Sequence, residues 1–477
     1  RVVNEPVGTS VASAETFPRS MPCERCHTPC VWPGQPVRVT NATGIWRCEP
    51  VENARPWEAV AVVTYRGAVA ADDIMDLAGD FEPATQEQWL DAVDKVLRGR
   101  DFDAVLRTHT HDGIAIEPLY TIDDEATITQ TPSIGASRRA STVAGTAMGW
   151  DVRQRHVLGA SPNLNAAILH DLSRGVTSIE LVTDGSGDVA ALDSALADVF
   201  LDLAPVGLVS PGSGVADARA LLALADQRGV APSDFVADLG CDPIGQYASS
   251  GRSEVSIAAA LETVAALAAE LASTHPGVRV LRADGGVYAE AGASPAIELA
   301  TAIATGVTYL RALEAAGVDT TAAFEQIALA VTVGTDQFGD IAKIRALRIM
   351  WARVAQACAA EGVTAKVQAS TAAALATTRD PWVNMLRVTV GCFAAATAGA
   401  DVVVVRPFDA SIGVPDDLGL RIARNTQLAL LEESNLHRVV DPAGGSWYVE
   451  HLTDELAAAA WQVFQAVSYT HLRAHET

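Results

Sequence analysis

The feature that most constrains this chain is an alternation: short runs rich in β-branched residues are separated by long Ala- and Leu-rich stretches from Trp150 to Val405. Parallel strands cannot be joined by a tight turn and need a crossover, usually a helix. The runs Trp150 to His156, Ser178 to Asp184, Val206 to Val209, Phe235 to Leu239, Val278 to Ala283, Ile327 to Val333, Ala365 to Gln368 and Asp401 to Val405 are predicted as strands. Ala296 to Ala316, which stops at Gly317, and Asp340 to Glu361, which stops at Gly362, read as helices with glycine ends. About eight such repeats predict an α/β chain with a (βα)8 TIM-type barrel over residues 150–466. A doubly wound open sheet is the alternative.

The flanks differ. Residues 75–149 offer a helix around Gln86 to Leu97, a strand-like Gly113 to Tyr120 and a Thr/Ser-rich stretch, too little for a core of their own. They are expected to form an extended N-terminal arm. Residues 1–74 contain no Lys and show neither the helical nor the alternating period. They are expected to be a non-native or disordered leader, with the genuine start at or just before Met75. Cys23, Cys26, His27, Cys30 and Cys48 are zinc-type ligands at a spacing that fits no common knuckle or ribbon, so no metal is assigned. Residues 467–477 resemble a translated sequencing adapter, so the helically spaced His471 and His475 are not taken as ligands.

With 477 residues and 49% hydrophobic side chains the chain can bury a large core. A formal charge of -24 would repel nucleic acid and an anionic membrane surface, and neither is expected as a partner. The most apolar stretch, Val388 to Val405, is broken by Gly391 and by Gly399-Ala-Asp401, so it reads as a helix end followed by a buried strand and not as a membrane span. No secretion signal is visible, and a cytoplasmic setting is expected. Cys241, Cys358 and Cys392 read as scattered reduced thiols.

In a barrel of this type, reactive groups lie where strands end and loops begin. Those positions hold Arg153, Gln154, Arg155, His156, Cys241, Asp242, Asp284, Gln368, Ser370, Arg406 and Asp409. No G-x-S-x-G elbow, H-E-x-x-H, P-loop or G-x-G-x-x-G after a strand occurs. Ser210-Pro-Gly-Ser-Gly214 could cradle a phosphate at a helix start or be an ordinary connection. His109, His111 and Asp112 offer metal-type ligands without a clear third, and read as a solvated strand edge.

Gly149-Trp-Asp-Val-Arg-Gln-Arg-His156 resembles the opening of the barrel in small subunits of methylmalonyl-CoA mutase, and Asp112-Gly-Ile-Ala-Ile-Glu-Pro-Leu-Tyr-Thr121 resembles the arm of that superfamily. Glu290-Ala-Gly-Ala293, Thr305 to Arg311, Ile341 to Arg345, Asp380 to Asn384, Arg421 to Gln427 and Arg438 to Glu450 are similar to it as well, in order along the chain from about Met75 to Ala466. The resemblance implies a complex that interconverts methylmalonyl-CoA and succinyl-CoA with adenosylcobalamin, in which the CoA chain threads the barrel axis. It also implies departures. No D-x-H-x-x-G, the motif that supplies a His to cobalt, occurs here, so the cofactor is expected on a partner, the large catalytic subunit of a heterodimer. The family's Tyr-His pair before E-A-G-A is replaced by Gly286 and Val287, with Tyr288 displaced, and its His and Gln after the seventh strand are replaced by Gln368 and Ser370. No catalytic residue is assigned. Gln368, Ser370 and Arg406 are the candidates for contact with an acyl-CoA substrate, while Arg153, Arg345, Arg421, Arg424 and Arg438 are read as structural ion-pair residues. A truncated catalytic mutase and an unrelated barrel lyase acting on a small acid are the alternatives.

Overall fold

The computed structural model describes residues 84–121, 124 and 149–474 apart from 254, 361 and 440, together with the backbone of 10–12, 37–41, 46–50 and 61–65. The chain divides into two compact units, residues 1–99 and 100–477, so the division falls inside the stretch expected as one arm. In the first unit, four short strands pair in the order Ser10–Ala12, Ala61–Tyr65, Val37–Asn41, Trp46–Pro50, in a region whose sequence shows no period. The helix Gln86–Leu97 falls where its sequence places it. Thr85 and Gln88 satisfy each other's backbone N–H in a capping box, and Arg98 ends the helix in the left-handed region. Cys23, Cys26, His27 and Cys30 lie outside the described residues, as do the side chains of His471 and His475.

The second unit holds the barrel. Its strands are β1 Asp151–Val157, β2 Ser178–Val182, β3 Val206–Val209, β4 Ala237–Cys241, β5 Val278–Asp284, β6 Ile327–Val333, β7 Lys366–Thr371 and β8 Val402–Val404. All pair in parallel and in sequential order, and β8 closes on β1 with Val402 beside Asp151 and Val404 beside Arg153. The open-sheet alternative is excluded.

Alternate strand residues face the surrounding helices, and there the sequence supplies Ile179, Leu181, Val206, Leu208, Val367, Ala369, Val403 and Val405, all buried. The helices repeat the expected crossovers. α5, Pro295–Ala315, begins with Pro at its first turn, where a missing N–H costs nothing, and buries Leu299, Ile303, Tyr309 and Leu313. It is long and apolar enough to cross a membrane by composition, but it is packed as a barrel helix. α6, Gln337–Ala357, starts earlier than its sequence suggests because Asp336 caps it, and stops earlier because Ala359 adopts a left-handed φ of 53°. β7 runs on to Thr371, since its register with β6 holds as far as Val333 beside Thr371. Ser370 is therefore inside a strand and not in the loop after it.

Ahead of the barrel, Thr108–His109 and Ala115–Ile116 form a two-stranded ribbon, shorter than the strand expected over Gly113 to Tyr120. Asp112 turns its carboxylate to the backbone N–H of Ala296 at the start of α5, 3.2 Å away. Among the described residues no group of three or more His, Cys, Asp or Glu is placed to hold a metal ion. After the barrel, the helix Trp447–Ala474 lies along α5 and α6.

Candidate functional site

The lumen-facing residues are far less apolar than those facing the helices, and they build the site from the bottom of the barrel upward. Arg153 on β1 is 1% exposed, and its guanidinium meets four acceptors. Nε donates to Ser178 Oγ at 2.8 Å, Nη1 to Asp238 Oδ2 at 2.8 Å and to Gln368 Oε1 at 3.2 Å, and Nη2 to Asp151 Oδ2 at 3.0 Å. Gly207 on β3 leaves the space this needs: a Cβ there would stand 2.9 Å from Arg153 Nη1. Burial works against the Asp238 carboxylate, yet Arg153 beside it holds its pKa well below the usual range.

One layer up, Glu180 on β2 is fully buried. Arg155 Nε approaches it at 2.6 Å, Arg282 Nη1 at 3.4 Å, and Gln368 Nε2 donates to it at 2.8 Å. Burial alone would raise the Glu180 pKa, but Arg155, Arg282 and Arg153 together bring it down to about 2. Gln368 is thus bonded at both ends of its amide, to Arg153 and to Glu180. The barrel axis at this level is crossed by side chains from β1, β2, β4, β5 and β7.

At the mouth stand Arg406, Ser370, Glu290, Asp284 and Asp242. Arg406 Nη2 reaches Glu290 Oε1 at 3.5 Å, and both side chains are about a third exposed. Ser370 is half-buried one layer below Arg406. Asp284 accepts from the Gly286 N–H at 2.8 Å, and burial raises its pKa despite Arg282. Asp242, 5% exposed, caps the helix Pro243–Ser250 and accepts a short hydrogen bond from the Tyr309 hydroxyl. Burial pushes its pKa up to about 7.

Of the residues that the sequence places at strand ends, Arg153, Arg155, Asp242, Asp284, Gln368, Ser370 and Arg406 lie in the lumen or at its mouth, and others do not. His156 faces away from the lumen, 3.2 Å from Asp171 on the helix Leu164–Leu172, and Asp171 also pairs with Arg424 at 2.6 Å. Gln154 is buried with both amide atoms lacking a partner. Cys241 is buried, and burial pushes its thiol pKa up to about 12. Asp409 accepts the Asp416 N–H at 3.0 Å. The Ser210–Gly214 turn opens onto a helix start already holding a buried carboxylate, Asp217, which accepts from Gly187 N–H at 2.8 Å, so the turn is an ordinary connection. Arg345 pairs with Asp441 and Glu450, whereas Arg421 and Arg438 are exposed and make no ion pair among the described residues. Glu180, Asp238 and Arg282 were missed, although a Glu inside Ser-Ile-Glu-Leu-Val is a visible signal of a paired buried charge.

Gly286, at the mouth, leaves little room for a side chain. A Cβ there would lie 2.9 Å from Asp284 Oδ1 and 3.1 Å from Thr332 Cγ2. His156, the histidine on the barrel's first strand, turns outward to Asp171 and offers no imidazole to the lumen.

Fold and site together define a strand-helix barrel whose axis is filled by paired charge. A family model described as methylmalonyl-CoA mutase matches residues 188–470, more than half of the chain, and the chain belongs to that family. It is 46% identical over 409 residues to the methylmalonyl-CoA mutase small subunit of Streptomyces virginiae, covering 84% of this chain and 66% of that protein. To the small subunit of Propionibacterium freudenreichii subsp. shermanii it is 39% identical over 408 residues, 82% of this chain and 63% of that one. The large subunit of Streptomyces virginiae is more distant, at 26% over 426 residues, covering 83% of this chain and 58% of that protein. The chain therefore spans a little under two thirds of the length of these relatives.

Proposed function

We propose that this chain is the barrel of a small, non-catalytic mutase subunit, paired in a heterodimer with a large subunit that isomerises methylmalonyl-CoA and succinyl-CoA. The observation that carries the reading is the crossed lumen. A CoA chain threading the axis would have to break Arg153 and Gln368 from their partners and leave Asp238 buried without the guanidinium that faces it, at a cost of several kcal/mol. Gly286, where a catalytic chain carries a Tyr, points the same way. Adenosylcobalamin, which supplies a radical by homolysis of its cobalt–carbon bond, is assigned to the large subunit, and no step is routed through this chain. Relatives named as small subunits at 39–46% identity support the pairing, against 26% for a large one.

A second reading keeps an acyl-CoA contact at the mouth, because Ser370 and Arg406 remain partly exposed there while Gln368 is bonded at both ends. The test is co-expression with a large-subunit gene, followed by affinity capture and a mutase assay with added adenosylcobalamin. The expected result is a stable complex that turns over substrate while the isolated chain does not. Turnover by the isolated chain, or no complex, overturns the proposal.

A further inference from the structure

We propose that the mouth of the barrel binds a compact oxyanion, a carboxylate or a phosphate, between Arg155 and Arg406. The β8–β1 register sets Val404 beside Arg153, so Arg406 and Arg155 stand in the next layer on adjacent strands, both turned to the lumen. Their side chains are 33% and 32% exposed, open to solvent from above and packed from below. Neither spends its donors fully. Arg155 commits only Nε, to Glu180, among the described residues. Arg406 Nε is buried without a partner, and its Nη2 has only the 3.5 Å approach to Glu290, whose Oε1 already accepts the Ala373 N–H at 2.6 Å.

Beneath them Arg282, 5% exposed, shares the Glu180 carboxylate with Arg155 and leaves Nη2 buried and unbonded. A buried guanidinium with idle N–H groups is costly, and an oxyanion supplies the acceptors it lacks. Two planar forks side by side suit the two or three oxygens of a carboxylate or phosphate better than a single ammonium would. The acidic groups facing this space are Glu180, Glu290, Asp284 and Asp242. Glu180 is engaged on three sides, and burial favours the neutral form of Asp284 and Asp242, so fewer fixed charges compete with the ligand. In a chain of net charge -24, this is a local exception to a surface that repels anions.

The site does not depend on the subunit reading, because it is measured on this chain without a partner. Calorimetric titration of the full chain at low ionic strength, with inorganic phosphate in one arm and malonate in the other, is the test. One-to-one binding in either arm is expected, and the stronger arm identifies the ligand chemistry. Arg406→Gln, outside the Glu180 network, should weaken binding at least tenfold with an unchanged melting temperature, and Arg406→Lys should restore part of it. Lowering the pH from 7.5 to 6 should tighten malonate binding in the wild type as Asp242, whose pKa stands at about 7, takes up a proton. No binding in either arm, or binding that Arg406→Gln leaves unchanged, overturns the proposal.

Discussion

Asp242 shows what a buried carboxylate does to this fold. It accepts from Tyr309 and from the Gly245 N–H, but among the described residues no cation pairs with it directly, and burial lifts its pKa to about 7. An acid whose folded pKa stands above its unfolded value holds a proton more tightly when folded. Stability therefore falls as pH rises through the window between about 4 and about 7 and is level above it. Asp242→Asn keeps the shape and the acceptor for Tyr309 while removing the ionisation. Its melting temperature should exceed that of the wild type at pH 8, by an amount equivalent to about 4 kcal/mol, and the gain should vanish by pH 4. A gain that is the same at both pH values would show that charge at Asp242 is not the cause.

At the scale of elements, the C-terminal helix Trp447–Ala474 is held to the barrel by a buried charge as well as by packing. Arg345 on α6, fully buried, pairs with Asp441 in the approach to that helix and with Glu450 in its first turn, the latter at 2.6 Å. Arg345→Met would take the buried guanidinium away from both carboxylates, a loss of about 3 kcal/mol. Hydrogen exchange should speed up in residues 447–466 more than in strands β5 and β6, because the pair fastens one element and not the sheet. Uniform acceleration across the barrel would contradict this. The strands were legible because a parallel strand buried on its outer face is rich in β-branched and other apolar residues, as Val402–Val405 and Ile327–Val333 are. Their ends were not. Phe235 is buried in advance of β4, whose pairing begins only at Ala237, and β7 continues to Thr371 because β6 offers it partners that far. His156 shows the limit for the site: a strand end says that a residue is near the mouth, but alternation decides whether it enters the lumen, and one position separates His156 from Arg155.

At the scale of the molecule, the barrel is closed twice, once by its backbone ladder and once by side chains across its axis. Arg153 on β1 reaches Asp238 on β4 and Gln368 on β7, and Gln368 passes the connection to Glu180 on β2, which holds Arg282 on β5. Strands that are distant around the ladder are thereby made neighbours, so the network should break only when the whole barrel opens. Arg153→Met removes the hub and leaves Asp238, 13% exposed, without its charge partner. The expected cost is about 3 to 5 kcal/mol in urea unfolding, read at an unchanged slope because the surface exposed on global unfolding is the same. Gln368→Leu would remove the bridge while leaving both charges otherwise paired, so it should cost less than Arg153→Met. The reverse order would mean that the amide, and not the guanidinium, holds the axis shut.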